Sequence, residues 1–236
     1  FELCKKLDAE LISCDSMQMY KHFDIGTAKP TKTEQEQVVH HMIDIVEPGQ
    51  FYSVSEFVHQ CEKEIDSVLR RGKLPVICGG TGQYVSALCY GIDYEANLDS
   101  EKISQKVDEL TLEYESDGID GIYLRLQKVD NEASLKIHKN NTRRVLRALA
   151  TFEATGVTFT QKNLESKKSG PKYPYKLFQI DVDRSDLYDK INKRVDIMIQ
   201  DGLVDEVKSI NQMNIDPKST CMQAIGYKEI VKYLNN

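Results

Sequence analysis

The sequence predicts an α/β protein in which a parallel sheet flanked by helices carries a helical insertion. Two short apolar runs, residues 11–14 and 74–78, are long enough for buried strands of a parallel sheet. The second run passes through a glycine-rich turn into a helix, which is the order typical of such sheets. Residues 93–168 are polar and helical. We therefore predict a discontinuous α/β core, 1–92 and 169–236, interrupted by a helical insertion.

Asp15 follows the first apolar run, and Ser16, Met17 and Gln18 come directly after it. Open α/β sheets place their chemistry just beyond the carboxyl ends of their strands, so this position predicts a catalytic carboxylate. An aspartate at such a point also serves in many proteins as a cap for the next helix or turn. Both interpretations stay open from the residues alone.

The second α/β unit begins with a capping box, Ser53 and Glu56, followed by apolar residues at helical spacing. Leu74–Cys78 is the strand, and Gly79, Gly80 and Thr81 follow it. If the two strands are adjacent, Asp15 and Thr81 converge on one crevice, where they can accept a proton and position a substrate amine or alcohol. The glycines by themselves require only a tight turn or close packing.

The insertion is predicted to contain helices at 99–116, 119–128 and 142–154. After it, the run 176–182 predicts a further strand of the sheet. Leu187, Ile191, Val195 and Ile199 then recur every four residues and predict a helix with an apolar stripe.

Charge is distributed unevenly along the chain. The net charge is −6, but residues 136–176 contain ten basic and two acidic side chains, a local balance of +8 that leaves −14 for the remainder. Within this segment Arg143, Arg144 and Arg147 lie opposite the apolar side of one predicted helix. Clustered arginines grip phosphates or a flexible RNA loop, although a solvated polar face remains the alternative.

Several classes of protein are disfavoured. No apolar run approaches the roughly 20 residues of a membrane-spanning helix, so we expect no membrane partner. The six cysteines form no C-x-x-C pair, and we interpret them as reduced thiols in a cytoplasmic protein. His40 and His41 are adjacent and lack a third ligand at zinc spacing.

Tyr20, Tyr84 and Tyr227 can stack on bases, but each by itself indicates packing.

Six stretches carry a resemblance to a known family. They are ISCDSMQ (12–18), DIGTAKP (24–30), HMID (41–44), GGTGQY (79–84), HKNNTRRVLRA (138–148) and QAIGYKE (223–229). In this order and over nearly the whole chain, the sequence resembles the tRNA dimethylallyltransferases, also called tRNA isopentenyltransferases, of bacterial type.

The resemblance implies a P-loop-NTPase-like core and transfer of a dimethylallyl group from dimethylallyl diphosphate to N6 of the adenosine 3′ of the tRNA anticodon, with Mg²⁺ assisting. By position, Asp15 is the general base, Ser16, Met17 and Gln18 line the flipped adenine, and Thr81 lies beside it. The tRNA-contacting helix of the family corresponds to five residues of the insertion: Arg143, Arg144, Val145, Leu146 and Arg147. We expect a monomer.

Two departures from the family pattern are visible. No G-x-x-x-x-G-K-[ST] phosphate loop occurs in the 236 residues, so the residues that bind diphosphate and metal are not identified, and we expect this loop before Phe1. Ile103 stands where the family often has an arginine that touches tRNA. A P-loop small-molecule kinase and a non-catalytic RNA-binding protein are the alternative functions.

Overall fold

The computed structural model describes residues 1–92, 100–166 and 170–235. The chain forms two compact units. The first consists of Phe1–Val85 and Tyr175–Asn236, and the second of Ser86–Pro174. No helix in the described ranges is long and apolar enough to cross a membrane.

The first unit is built around a small parallel sheet. Its elements up to the boundary with the second unit are α1 (Glu2–Leu7), β1 (Ala9–Ser13), α2 (Lys32–Gln37), β2 (His40–His41), α3 (Val54–Arg70), β3 (Leu74–Cys78) and α4 (Gly82–Tyr90), the last of which runs across that boundary. The described strands pair in the order β2-β1-β3, all parallel. This arrangement makes β1 the central strand, so the residues that follow it lie between two neighbouring strand ends.

The helix α3 and the strand β3 were predicted correctly from local sequence patterns. Glu56 N–H donates to Ser53 Oγ at 3.1 Å, and Ser53 N–H donates to the Glu56 carboxylate at 2.6 Å, which is the predicted capping box. The apolar residues predicted at helical spacing in α3 are buried: Phe57, Cys61, Ile65 and Val68. The strand β3 has the predicted bounds.

The second unit is helical. Its further elements are α5 (Ser100–Asp117), α6 (Ile119–Val129), α7 (Asn131–Lys136), α8 (Thr142–Thr155) and α9 (Phe159–Glu165). The short helices α7 and α9 were not predicted. Buried Asp130 joins them, because its carboxylate accepts from Ala133 N–H of α7 at 3.0 Å and from the backbone and hydroxyl of Thr160 in α9 at 2.8 and 2.7 Å. Ile103 is buried in the core of this unit.

The predicted strand at 176–182 is wrong. The structure has no strand there, and Phe178 and Ile180 are 82% and 88% exposed. A strand needs a neighbour for its ladder hydrogen bonds, and no described strand pairs with this segment. The residues of this run indicated a strand without identifying its partner.

Three further helical elements complete the first unit: α10 (Arg184–Gln200), α11 (Leu203–Asn211) and α12 (Tyr227–Leu234), with a single 3₁₀ turn at Cys221–Gln223 before α12. The helix α10 was predicted correctly, but its apolar stripe is not buried. Leu187, Ile191, Val195 and Ile199 are each close to half exposed. Their spacing therefore predicted the helix and not its burial.

Candidate active site

The Asp15 side chain lies two residues beyond the end of β1, and it closes a turn. Its Oδ1 accepts a hydrogen bond from Met17 N–H at 2.9 Å. No hydrogen bond from a residue in the described ranges reaches its Oδ2. The carboxylate therefore acts as a turn cap with one oxygen, while the other has no described protein donor.

Thr81 lies beside this turn because β1 and β3 are neighbours. Ser16 N–H donates to Thr81 Oγ1 at 2.9 Å, the two hydroxyl groups lie 3.2 Å apart, and Thr81 N–H donates to Cys14 O at 3.2 Å. Gly79 permits the close approach, since a Cβ at that position would lie 2.3 Å from the Cys14 carbonyl. The two strand ends thus form one hydrogen-bonded crevice next to Asp15.

Gln18 ties the same turn to the loop that follows it. Its amide oxygen accepts from Ser13 Oγ at 2.9 Å, and its amide nitrogen donates to Thr27 O at 3.2 Å and Ala28 O at 3.3 Å. These contacts fix the orientation of the Gln18 amide. The Asp15–Gln18 turn is consequently held at its start by β1 and at its end by residues 27 and 28.

Lys29 is a structural residue that the sequence patterns did not single out. Its side chain is 3% exposed, and its ammonium group donates to Tyr20 O at 2.9 Å and to the carboxylates of Asp24 and Asp44, each at 2.6 Å. A buried cation is tolerated only when it is paired in this way. Lys29 therefore holds the loop Asp24–Lys29 against the segment around Asp44.

The three tyrosines that can stack on bases are buried instead. Tyr84 stacks on Phe57 with ring centroids 3.9 Å apart and an interplanar angle of 6°. Tyr20 and Tyr227 both pack against Phe23. The packing interpretation of these residues is confirmed.

His41 belongs to a cluster of polar contacts around the buried Glu10, at the other end of β1. Its Nε2 lies 2.6 Å from Glu10 Oε2, and its Nδ1 lies 2.9 Å from Glu64 Oε2. Arg71 Nη2 also donates to Glu10 Oε2 at 2.6 Å. The Arg71 hydrogen bond, followed by that of His41, lowers the pKa of Glu10 to about 2 against the opposing effect of burial. In the described ranges, no group of three or more His, Cys, Asp or Glu side chains is arranged to hold a metal ion.

The helix α8 presents arginines on one side and its core residues on the other. Arg143, Arg144 and Arg147 are exposed, and no acidic side chain in the described ranges forms an ion pair with them. Val145 and Leu146 are 0% and 5% exposed and pack in the core of the second unit. Their side chains thus hold the helix in place, which leaves the arginine side chains as the charged groups that the helix exposes.

The crevice at the ends of β1 and β3 can accept a proton at Asp15 and hold a polar substrate against the hydroxyl groups of Ser16 and Thr81. Comparison with known proteins identifies the family of the chain. The family model described as IPP transferase matches residues 18–236. The chain belongs to this family.

Relatives agree with the IPP transferase match. The chain is 40% identical over 233 residues to a tRNA dimethylallyltransferase of Acetivibrio thermocellus, with 99% of this chain and 74% of the relative covered. It is 42% identical over 234 residues to a tRNA dimethylallyltransferase of Oceanobacillus iheyensis, covering 99% and 73%. The chain thus spans about three quarters of the length of these relatives.

Solved structures give the same result. A tRNA Δ2-isopentenylpyrophosphate transferase from Staphylococcus epidermidis matches with a TM-score of 0.64 and 39% identity, over 99% of this chain and 75% of that one. A eukaryotic dimethylallyltransferase acting on tRNA matches with a TM-score of 0.78 and 29% identity, over 99% and 59%. The predicted P-loop-like α/β fold is confirmed, and the protein is a transferase rather than a kinase or a non-catalytic RNA-binding protein.

The long-range contacts of Glu206 were missed by sequence reasoning. This residue lies on α11 and its carboxylate accepts from the backbone N–H groups of Asp24, Ile25 and Gly26 at 2.9–3.3 Å. The separation of about 180 residues leaves no local sequence signal.

Proposed function

We propose that the protein transfers a dimethylallyl group from dimethylallyl diphosphate to N6 of the adenosine 3′ of the anticodon in tRNA. In this reaction a bond forms between N6 and the allylic carbon, the bond between that carbon and the diphosphate oxygen breaks, and N6 loses a proton. The observation that carries the proposal is the crevice at the ends of β1 and β3, in a member of the IPP transferase family.

Asp15 is the proposed acceptor of the N6 proton. An exocyclic adenine amine is a poor nucleophile, so a carboxylate that removes its proton as the new bond forms lowers the barrier. Asp15 Oδ1 is already engaged by Met17 N–H at 2.9 Å, which holds the carboxylate in one orientation. Its Oδ2 is the oxygen we assign to the proton.

Ser16, Met17, Gln18 and Thr81 are proposed to surround the adenine. Chemistry on a base requires that the base leave its stack and enter a pocket. Thr81 Oγ1 holds Ser16 N–H at 2.9 Å, and Gln18 is held at both ends of its amide. These fixed contacts support a preorganised pocket wall, because polar groups that are already paired need little reorganisation during the reaction.

Arg143, Arg144 and Arg147 are the proposed phosphate contacts to tRNA. Guanidinium groups bind phosphate in a bidentate manner, and these three have no acidic partner in the parts of the chain that are described. We propose that Val145 and Leu146 act indirectly, by burying the opposite side of α8.

Mg²⁺ is proposed as the metal that accompanies the diphosphate, where a cation neutralises the charge of the leaving group. No group of three or more His, Cys, Asp or Glu side chains among the described residues is arranged to hold a metal ion, and no step above is assigned to the metal. We further propose a monomer that acts in the cytoplasm on the anticodon stem-loop. Sedimentation of the protein with and without tRNA tests the oligomeric state.

Asp15→Ala tests the function in the complete protein. We expect dimethylallyl transfer to fall by about 10²–10⁴-fold, the usual contribution of a general base, while tRNA binding survives. Transfer is measured as incorporation of labelled dimethylallyl into tRNA, and binding is measured by filter retention. Transfer at the unsubstituted rate would show that Asp15 is not the base.

A further inference from the structure

We infer that Glu206 is a positioning residue that holds the Asp15–Gln18 turn through the loop Asp24–Lys29. The inference rests on the proposed function, because it assigns Glu206 an effect on the rate of dimethylallyl transfer. Glu206 lies in the first turn of α11 and is far from Asp15 in sequence. The link between them consists of hydrogen bonds that can be followed residue by residue.

The Glu206 carboxylate accepts four hydrogen bonds. Its Oε2 accepts from Asp24 N–H at 3.1 Å and Ile25 N–H at 2.9 Å, and its Oε1 accepts from Gly26 N–H at 3.3 Å and Tyr227 Oη–H at 2.5 Å. Successive backbone N–H groups that converge in a turn form a concave anion-binding site. Glu206 fills that site with a charge from the protein itself and so fixes the conformation of the loop.

Tyr227 makes this arrangement rigid. Its ring is buried, and burial, followed by the hydrogen bond to Glu206, raises the pKa of its hydroxyl, which therefore stays a donor. A Cβ on Gly26 would lie 2.4 Å from the ring. The loop backbone thus packs directly on an aromatic side chain that is itself bonded to Glu206.

The loop transmits its position to the turn that carries Asp15. Ala28 N–H donates to Ile25 O at 2.9 Å within the loop. The carbonyls of Thr27 and Ala28 then accept from Gln18 Nε2 at 3.2 and 3.3 Å. Displacement of residues 24–26 therefore weakens the support of Gln18 at Nε2 and leaves only the contact of its Oε1 with Ser13 Oγ. The turn of Gln18 contains the proposed base.

Four variants separate positioning from simple stabilisation. Glu206→Ala removes all four acceptor contacts, and Glu206→Gln keeps one carbonyl oxygen but points an amide donor towards N–H groups. Tyr227→Phe removes one hydrogen bond and keeps the buried ring. Asp205→Ala is the matched control, because Asp205 is the preceding residue of α11 and makes only an exposed ion pair with Lys208.

The measurement is the single-turnover rate of transfer in the complete protein, at saturating tRNA and dimethylallyl diphosphate, per molecule of tRNA-binding-competent enzyme. We expect Glu206→Ala to lower this rate by about 10- to 100-fold, because a small misplacement of a catalytic group has effects of this size. The rate of Glu206→Gln should lie between those of Glu206→Ala and the unsubstituted protein. Tyr227→Phe should be a few-fold slower than the unsubstituted protein, and the rate of Asp205→Ala should be unchanged. The Kd for tRNA should stay within twofold in all four.

A purely structural role would lower the competent fraction or the Tm and leave the rate per competent molecule unchanged. That result for Glu206→Ala would overturn the inference. If Glu206→Ala does not fold, unchanged rates in both Glu206→Gln and Tyr227→Phe overturn it equally. The unsubstituted protein and Asp15→Asn are measured alongside. Absence of transfer by the unsubstituted protein refutes the proposed function, and full transfer by Asp15→Asn refutes Asp15 as the base. Loss of transfer in Asp15→Asn with a normal Glu206→Ala rate refutes only the positioning role.

Discussion

Removal of two arginines from α8 is expected to weaken tRNA binding in a salt-dependent manner. The perturbation is the double substitution Arg143→Ala and Arg147→Ala. Both side chains are exposed and have no ionic partner among the described residues, so their charges are available to an external phosphate. Val145 and Leu149 on the opposite side of the helix stay untouched, which keeps the core of the second unit intact.

The magnitude follows from counterion release. Each phosphate contact in a single-stranded loop contributes about 0.7 to the slope of log K against log salt, so two lost contacts lower the slope by about 1.4. Between 50 and 200 mM salt, a slope difference of about 1.4 corresponds to a roughly sevenfold difference in how far the affinity falls. The variant should bind more weakly at low salt and approach the unsubstituted protein as salt rises.

Filter binding of tRNA over this salt range measures the slope. Lys106→Ala is the control, because it removes one positive charge from the same unit but from a residue already paired with Glu109 at 2.5 Å. We expect its slope to match that of the unsubstituted protein. An unchanged slope in the double variant would refute the assignment of α8 as the tRNA-contacting helix.

Two further predictions concern stability. The shift of the Glu10 pKa from 4.5 to about 2 corresponds to about 3 kcal/mol of stability. That contribution is present above pH 4.5 and is lost as the pH falls towards 2. Glu10→Gln should therefore be less stable at pH 7, and its free energy of unfolding in urea should depend less on pH between 4.5 and 2. An equal pH dependence in the two proteins would contradict the role of Arg71. Gly26→Ala should cost about 1–3 kcal/mol by overpacking against Tyr227, whereas Gly121→Ala, with open space around it, should not destabilise; equal Tm values for the two would contradict the packing argument.

Parts of the fold with local causes were predictable from sequence. The capping box at Ser53 and the apolar spacing of α3 involve residues a few positions apart, and they specified that helix correctly. Strand pairing is not local, and 176–182 was predicted as a strand from its own residues although no described strand pairs with it. The apolar stripe beginning at Leu187 failed in the same way, since spacing indicates a face but not what covers it.

The candidate site likewise has a part that was predictable from sequence and a part that was not. Asp15 and Thr81 were brought together in the prediction because parallel strands end at one edge, and β1 and β3 are neighbours in the structure. The support around them was not predictable. Lys29 and Glu206 contact residues that are distant in sequence. Neither the ion pairs of the buried Lys29 ammonium nor the four hydrogen bonds accepted by the Glu206 carboxylate leave a pattern in the neighbouring residues.

Asp15→Asn tests the central claim most directly, because it separates the two functions of the side chain. Asparagine keeps an Oδ1 that can accept from Met17 N–H, so the turn cap remains, but its amide cannot accept the adenine proton. We predict that the single-turnover rate of dimethylallyl transfer falls by about 10²–10⁴-fold, with tRNA affinity and Tm unchanged. A rate within twofold of the unsubstituted protein would mean that Asp15 is only a cap.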